Sequence, residues 1–162
     1  MLSSEHEPVT ILIVDDEKGI LLSLTHLLRN EKFEVLTAAS GDEGLEILSN
    51  NIEIGVIISD QIMPGMNGIE FLRKAWELAP DALRIMLTAH SGLDVEHEAL
   101  YKGGAYRFIA KPWKNDELIQ TLRDAVTIYS LIRENRRLTS LLHRMTREKT
   151  DPHGDNTLSS AA

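Results

Sequence analysis

Five short apolar runs, separated by stretches with helical apolar spacing, constrain this chain more than any other feature of its sequence. The runs are Val9 to Val14, Phe33 to Ala38, Val56 to Ser59, Arg84 to Thr88 and Arg107 to Ala110. They are rich in Ile, Val and Leu and too short for helices, so they read as strands. Between them Ile20, Leu21, Leu24, Leu27 and Leu28, and later Ile69, Leu72, Trp76 and Leu78, recur at three- and four-residue steps. Such spacing marks amphipathic helices, and it places Trp76 in the core. Strict alternation of strand and helix implies parallel strands with right-handed crossovers, and near-continuous apolar strands imply a sheet covered on both faces. The expected architecture is a doubly wound α/β sandwich.

Turn signals agree with these boundaries. Gly41 opens the second helix, Pro64, Gly65 and Gly68 break the chain after the third strand, and Gly103 and Gly104 end the fourth helix. After Pro112 a helix begins near Asn115, and no Gly or Pro interrupts it until Pro152. Four segments are therefore expected: a flexible start over 1–7, a folded domain over 8–130, a helical extension over 131–150 and a disordered tail over 151–162. The net charge of −8 conceals a division, since residues 131–150 carry +4 and residues 1–130 carry −10. An acidic domain disfavours nucleic acid and anionic membrane surfaces as partners and favours proteins and cations. The chain has no cysteine, which excludes disulfides and thiolate chemistry. No apolar run is long enough to span a bilayer, and the acidic start is unlike a signal peptide, so the cytoplasm is the expected location.

Ligands of an open parallel sheet bind beyond the carboxyl ends of its strands, so strand-end residues carry the functional information. The first strand ends in Asp15 and Asp16, the third in Asp60 and the fourth in Thr88, while the fifth leads into Lys111. Carboxylates gathered at one edge repel each other unless a cation sits among them. Oxygen donors with positions left for water and phosphate suit Mg²⁺, with Asp16 and Asp60 as direct ligands and Asp15 acting through water. An aspartate can also be the nucleophile of phosphoryl transfer. Asp60 then takes the phosphoryl group, Lys111 shares in neutralising it, and the Thr88 hydroxyl reaches one of its oxygens. Taken singly, the acidic pair could equally be charges favouring a helix N-terminus, and Asp60 an ordinary turn residue.

Together, Asp15-Asp16-Glu17, Ser59-Asp60-Gln61-Ile62-Met63-Pro64-Gly65-Met66-Asn67-Gly68, Leu87-Thr88-Ala89 and Lys111-Pro112-Trp113 resemble the receiver domains of bacterial response regulators over roughly residues 8 to 130. The resemblance implies a flavodoxin-like five-stranded parallel sheet of order 2-1-3-4-5. It implies a signalling domain, catalysing only its own phosphorylation and dephosphorylation, with Asp60 as phosphoacceptor, Thr88 as switch hydroxyl and Lys111 as the family lysine. It also implies that the backbone carbonyl of Ile62 completes the metal shell, and that the switch aromatic is Phe108, a ring without the hydroxyl many relatives carry. The implied partners are a sensor histidine kinase or phosphotransfer protein and a downstream protein target. Ile62 and His90 fall where the family borders the phosphoryl group. The phrase from Ala105 to Trp113 is similar to a subgroup often joined to cyclic-di-GMP phosphodiesterase or transcriptional activator modules, although no output domain is expected in these residues.

The long helix admits more than one use. Ile128, Leu131, Asn135, Leu138, Leu142 and Met145 follow alternating steps of three and four, a heptad seam in which Asn135 at an a position favours a parallel two-stranded coiled coil. A homodimer is one expectation; a basic helix that docks intramolecularly or frays is the other. Nucleic-acid binding by its arginines is disfavoured by the absence of a helix-turn-helix pattern. The rivals to a receiver are a scaffold with the same fold and a phosphatase with Asp60 as nucleophile. The six histidines show no metal-ligand spacing and read as surface residues.

Overall fold

The computed structural model describes residues 7–50, 52–89 and 92–150. Its elements alternate: β1 (Val9–Val14), α1 (Lys18–Leu27), β2 (Phe33–Ala38), α2 (Gly41–Ser49), β3 (Ile54–Asp60), α3 (Gly68–Leu78), β4 (Leu83–Thr88), α4 (Leu93–Gly103), β5 (Arg107–Ala110) and α5 (Asn115–Thr150). All strands are parallel, in the order β2-β1-β3-β4-β5. This is the flavodoxin-like order that the resemblance implied. The third strand begins two residues before the apolar run, at Ile54. Gly55 interrupts the run without ending the strand, because it admits the side chains of Val9 and Tyr129 so close that a Cβ would lie 2.4 Å and 2.6 Å from them.

Successive strand residues point to opposite faces, and each face builds its own core. On one side Leu12, Val14, Ile57 and Met86 pack with Leu48, Phe71, Leu72 and Ala75. On the other Ile11, Ile13, Ile58 and Leu87 pack with Leu24, Leu28, Leu118, Leu122 and Ala125. The first is roofed by α2 and α3, the second by α1 and the start of α5. Each of the seven β3 residues is buried, as a central strand covered on both faces requires.

Helix starts follow from local chemistry. The Ser40 hydroxyl accepts the Glu43 N–H at 3.1 Å ahead of α2, and the Asn67 carboxamide accepts the Glu70 N–H at 2.9 Å ahead of α3. After α4, Gly104 takes φ +60°, the left-handed conformation that costs glycine least.

Trp76 is not a core residue. It is 46% exposed, and Leu78 beside it is 48% exposed, so the buried stripe of α3 consists of Phe71, Leu72 and Ala75. The indole instead lies under the Arg84 guanidinium, 4.8 Å from its ring centroid. Arg84 is itself buried, donating to the carbonyls of Gly104 and Ala82, and burial pushes its pKa down. An aromatic face compensates such a cation better than an aliphatic side chain would.

The chain divides into two compact units, the first ending at Ser130 and the second starting at Leu131. Within the second, Leu131, Leu138, Leu142 and Met145 are exposed along α5. No helix among the described residues is long and apolar enough to cross a membrane. His26, His97 and His143 are exposed, whereas His6, His90 and His153 lie outside the described residues, as do most of the expected flexible start and the whole expected tail.

Gly68 ties the fold to the strand edge. Its N–H donates to the Gln61 carbonyl at 2.9 Å, and a Cβ there would stand 2.1 Å from the backbone oxygen of Asp60. Backbone cannot yield as a flexible side chain can. Gly68→Ala is expected to lower unfolding stability by about 1–3 kcal/mol in urea denaturation, the cost typical of an overpacked site.

Candidate functional site

The carboxyl edge of the sheet brings together the acidic residues expected there. Asp15 follows β1, and its N–H donates to the Ala38 carbonyl at 3.1 Å, continuing the β1–β2 ladder by one step. Its side chain is fully buried; Oδ1 accepts the Glu17 N–H at 2.9 Å and Oδ2 accepts the Lys111 ammonium at 3.2 Å. Asp60, the last residue of β3, accepts the Gln61 N–H at 2.9 Å and the same ammonium at 3.0 Å, both on Oδ1. Asp16 is exposed, yet one of its oxygens lies within 4.8 Å of oxygens of Asp15 and Asp60. Lys111 therefore bridges two carboxylates from strands on either side of the switch in strand order.

Burial pushes the Asp15 carboxyl pKa up, helped by the charge of Asp60 and opposed by the Glu17 N–H and by Lys111. Burial pulls the Lys111 ammonium down, but its hydrogen bonds and attraction to Asp60 and Asp15 outweigh this and raise it overall. Lys111 is thus held as a cation in a pocket that is acidic on balance. The donor set fits a hard divalent cation, since three carboxylates offer oxygens around one point and an exposed member leaves room for water.

Thr88 closes β4 beside these groups, buried, with its carbonyl accepting the Lys111 N–H at 2.8 Å. Its hydroxyl donates to Oε1 of Gln61. Gln61 is a residue that sequence reasoning passed over, because an amide next to a candidate phosphoacceptor has no distinctive spacing. Phe108 sits opposite Met86 in the β4–β5 register, half-buried against the α2 and α3 side of the core. Ile62 is 63% exposed and lines a groove beside Gln61. Lys111 is joined to Pro112 by a cis peptide bond, and Trp113 packs partly buried against the α1 and α5 side. The proposed seam residues lie apart from this pocket in the sequence of α5: Ile128 is half-buried, and Leu131, Asn135, Leu138, Leu142 and Met145 are exposed.

A doubly wound domain whose switch-point edge gathers acids, a hydroxyl and a lysine has the groups that handling a phosphoryl group with a divalent cation requires. Residues 11–123 match the response regulator receiver domain, and the chain belongs to that family. Such a domain is a signalling module and not a classical enzyme. The chain is 34% identical over 125 residues to the sporulation initiation phosphotransferase F of Bacillus subtilis, covering 77% of this chain and 96% of that protein. It is 37% identical to the hydrogenase transcriptional regulatory protein HoxA of Bradyrhizobium diazoefficiens, over 77% of this chain but 25% of that one. The chain thus spans about a quarter of the length of the regulator it resembles. A CheY-like response regulator receiver domain protein from Methanospirillum hungatei superposes with a TM-score of 0.71 at 32% identity, covering 76% of this chain and 97% of that one.

The bridging ammonium has a measurable consequence. A positive charge held between two of the carboxylates opposes the binding of a divalent cation among them, by roughly 1–2 kcal/mol at a water-like effective dielectric. Lys111→Met is expected to bind Mg²⁺ about tenfold more tightly, read by calorimetry.

Proposed function

We propose that Asp60 is the phosphoacceptor of a response-regulator receiver, charged by a sensor histidine kinase or a phosphotransfer protein in the cytoplasm. The observation that carries this reading is the Lys111 ammonium set 3.0 Å from Oδ1 of Asp60 and 3.2 Å from Asp15. Asp60 Oδ2 accepts no hydrogen bond among the described residues and is the oxygen left to attack. It attacks the phosphorus of a phosphohistidine; the P–N bond breaks, its electron pair returns to the imidazole, and an acyl phosphate forms on Asp60. Lys111 neutralises developing phosphoryl charge, and the Thr88 hydroxyl donates to a phosphoryl oxygen. Asp15, Asp16, Asp60 and the Ile62 carbonyl would hold Mg²⁺, which when bound supplies further charge neutralisation. Phe108, beside the end of β4, follows Thr88 inward, and the changed surface of α4, β5 and the start of α5 contacts a downstream protein.

Acetyl phosphate with Mg²⁺ should add one phosphoryl group to the parent and none to Asp60→Ala, read by intact mass. Label persisting on Asp60→Ala, or absent from the parent, sinks the proposal.

The exposed Leu131, Leu138, Leu142 and Met145 support a second element of this reading: a parallel coiled-coil dimer seamed from Ile128 to Met145 and kept in register by paired Asn135 amides. The domain would then run over 8–130 and the extension over 131–150. The quarter-length match to the transcriptional regulator favours a related reading, in which these residues are the regulatory part of a transcriptional activator; the phrase from Ala105 to Trp113 supports a cyclic-di-GMP phosphodiesterase as the other such whole. Light scattering on the size-separated chain with Mg²⁺ and beryllofluoride, an aspartyl-phosphate mimic, tests the seam. A twofold molar mass is expected, and Asn135→Lys should return it to the monomer by placing like charges face to face. A parent that runs as a monomer with and without the mimic removes the coiled coil from the proposal.

A further inference from the structure

The Thr88 hydroxyl has a single proton, and it donates that proton to the Gln61 carboxamide oxygen. Donation to Gln61 and donation to a phosphoryl oxygen on Asp60 therefore exclude each other. Gln61 is well fixed for this competition. Its N–H is shared between Asp60 Oδ1 at 2.9 Å and the Leu87 carbonyl at 3.0 Å, and its own carbonyl accepts the Gly68 N–H at 2.9 Å. With the main chain pinned on both sides, only the side chain is free to turn. That side chain is half-buried and lines a groove shared with Ile62, Met63, Glu98, Tyr101 and Lys102, so it has somewhere to go once released.

We propose that Gln61 is a positioning residue that latches the resting domain, holding the Thr88 proton away from the phosphoryl site so that phosphorylation must first break the Thr88–Gln61 bond. The inference rests on the reading of Asp60 as phosphoacceptor and Thr88 as its sensor. Released by phosphorylation, the carboxamide turns into the groove beside Tyr101 and Lys102 of α4. The switch signal thereby reaches α4 from the Asp60 loop as well as through β4 and β5. The strength of the latch sets how readily the pocket takes its phosphoryl group.

A double-mutant cycle tests this in the full chain: parent, Gln61→Met, Thr88→Ala and the double variant. Affinity for beryllofluoride at saturating Mg²⁺ is read from the fluorine NMR signals of the bound mimic. Methionine keeps the length of glutamine and removes the acceptor. Gln61→Met is expected to bind the mimic about twofold to tenfold more tightly than the parent, the range set by one net hydrogen bond. In the Thr88→Ala background the same change should have no effect, because there is no proton to release. Equal shifts in both backgrounds mean that Gln61 acts through loop packing alone, and that result overturns the latch. An unchanged or weakened affinity in Gln61→Met overturns it too. If the parent binds the mimic and the variants fail this pattern, the latch falls and the phosphoacceptor reading stands. If the parent takes up no mimic, both fall.

Discussion

The Lys111 ammonium between Asp15 and Asp60 is the interaction on which the rest of this structure turns. Asp15 is fully buried, and a buried carboxylate without a partner would be strongly disfavoured. The lysine supplies that partner and also reaches Asp60 at the end of the neighbouring strand. Its placement depends on the whole sheet, because the three groups come from β1, β3 and the turn after β5. Registers from Val14↔Ser59 through Asp60↔Leu87 to Thr88↔Ala110 align these strand ends to within a residue. A slip of one residue would turn each side chain to the opposite face and separate the charges.

Legibility in the sequence was high where one physical rule decides the outcome. Parallel strands covered on both faces are rich in Ile, Val and Leu, so the runs ending at Val14 and Thr88 marked their strands closely, while the partly exposed edge strands ending at Ala38 and Ala110 were legible from shorter, mixed runs. Polar residues ending such runs have few reasons to be there other than chemistry, which is why Asp15, Asp16, Asp60, Thr88 and Lys111 stood out together. Trp76 shows where periodicity misleads. Its spacing on α3 fits the core, but it lies exposed under Arg84, a buried cation of β4 for which the indole supplies an aromatic face. Gln61 escaped notice for a similar reason. Its significance lies in a side-chain contact with a residue 27 positions away, and neither local spacing nor charge pattern encodes such a contact.

Comparison with known proteins sharpens the family and leaves the output open. A protein almost wholly covered by this chain and one covered only by a quarter share a similar level of identity with it. The common element is the stretch that each shares with this chain. What the receiver is connected to varies around it, as expected when function is carried by a site grafted on a widely used fold.

The position of Asp60 at the end of β3 also bears on where motion can occur. β3 is the middle strand of five, hydrogen-bonded on both edges and buried at each of its seven residues. Segments of this kind open last in native-state hydrogen exchange, with protection approaching that of global unfolding. Asp60, the proposed phosphoacceptor, is thus rooted in a central strand buried along its whole length. On the proposed reading, a phosphoryl group arriving there would meet a backbone that does not yield, and the added charge would have to be accommodated by side chains and loops beyond the strand ends. Rigidity at the point of input makes the chemical event a mechanical one elsewhere, much as a fixed fulcrum lets a small push at one end of a lever appear as displacement at the other.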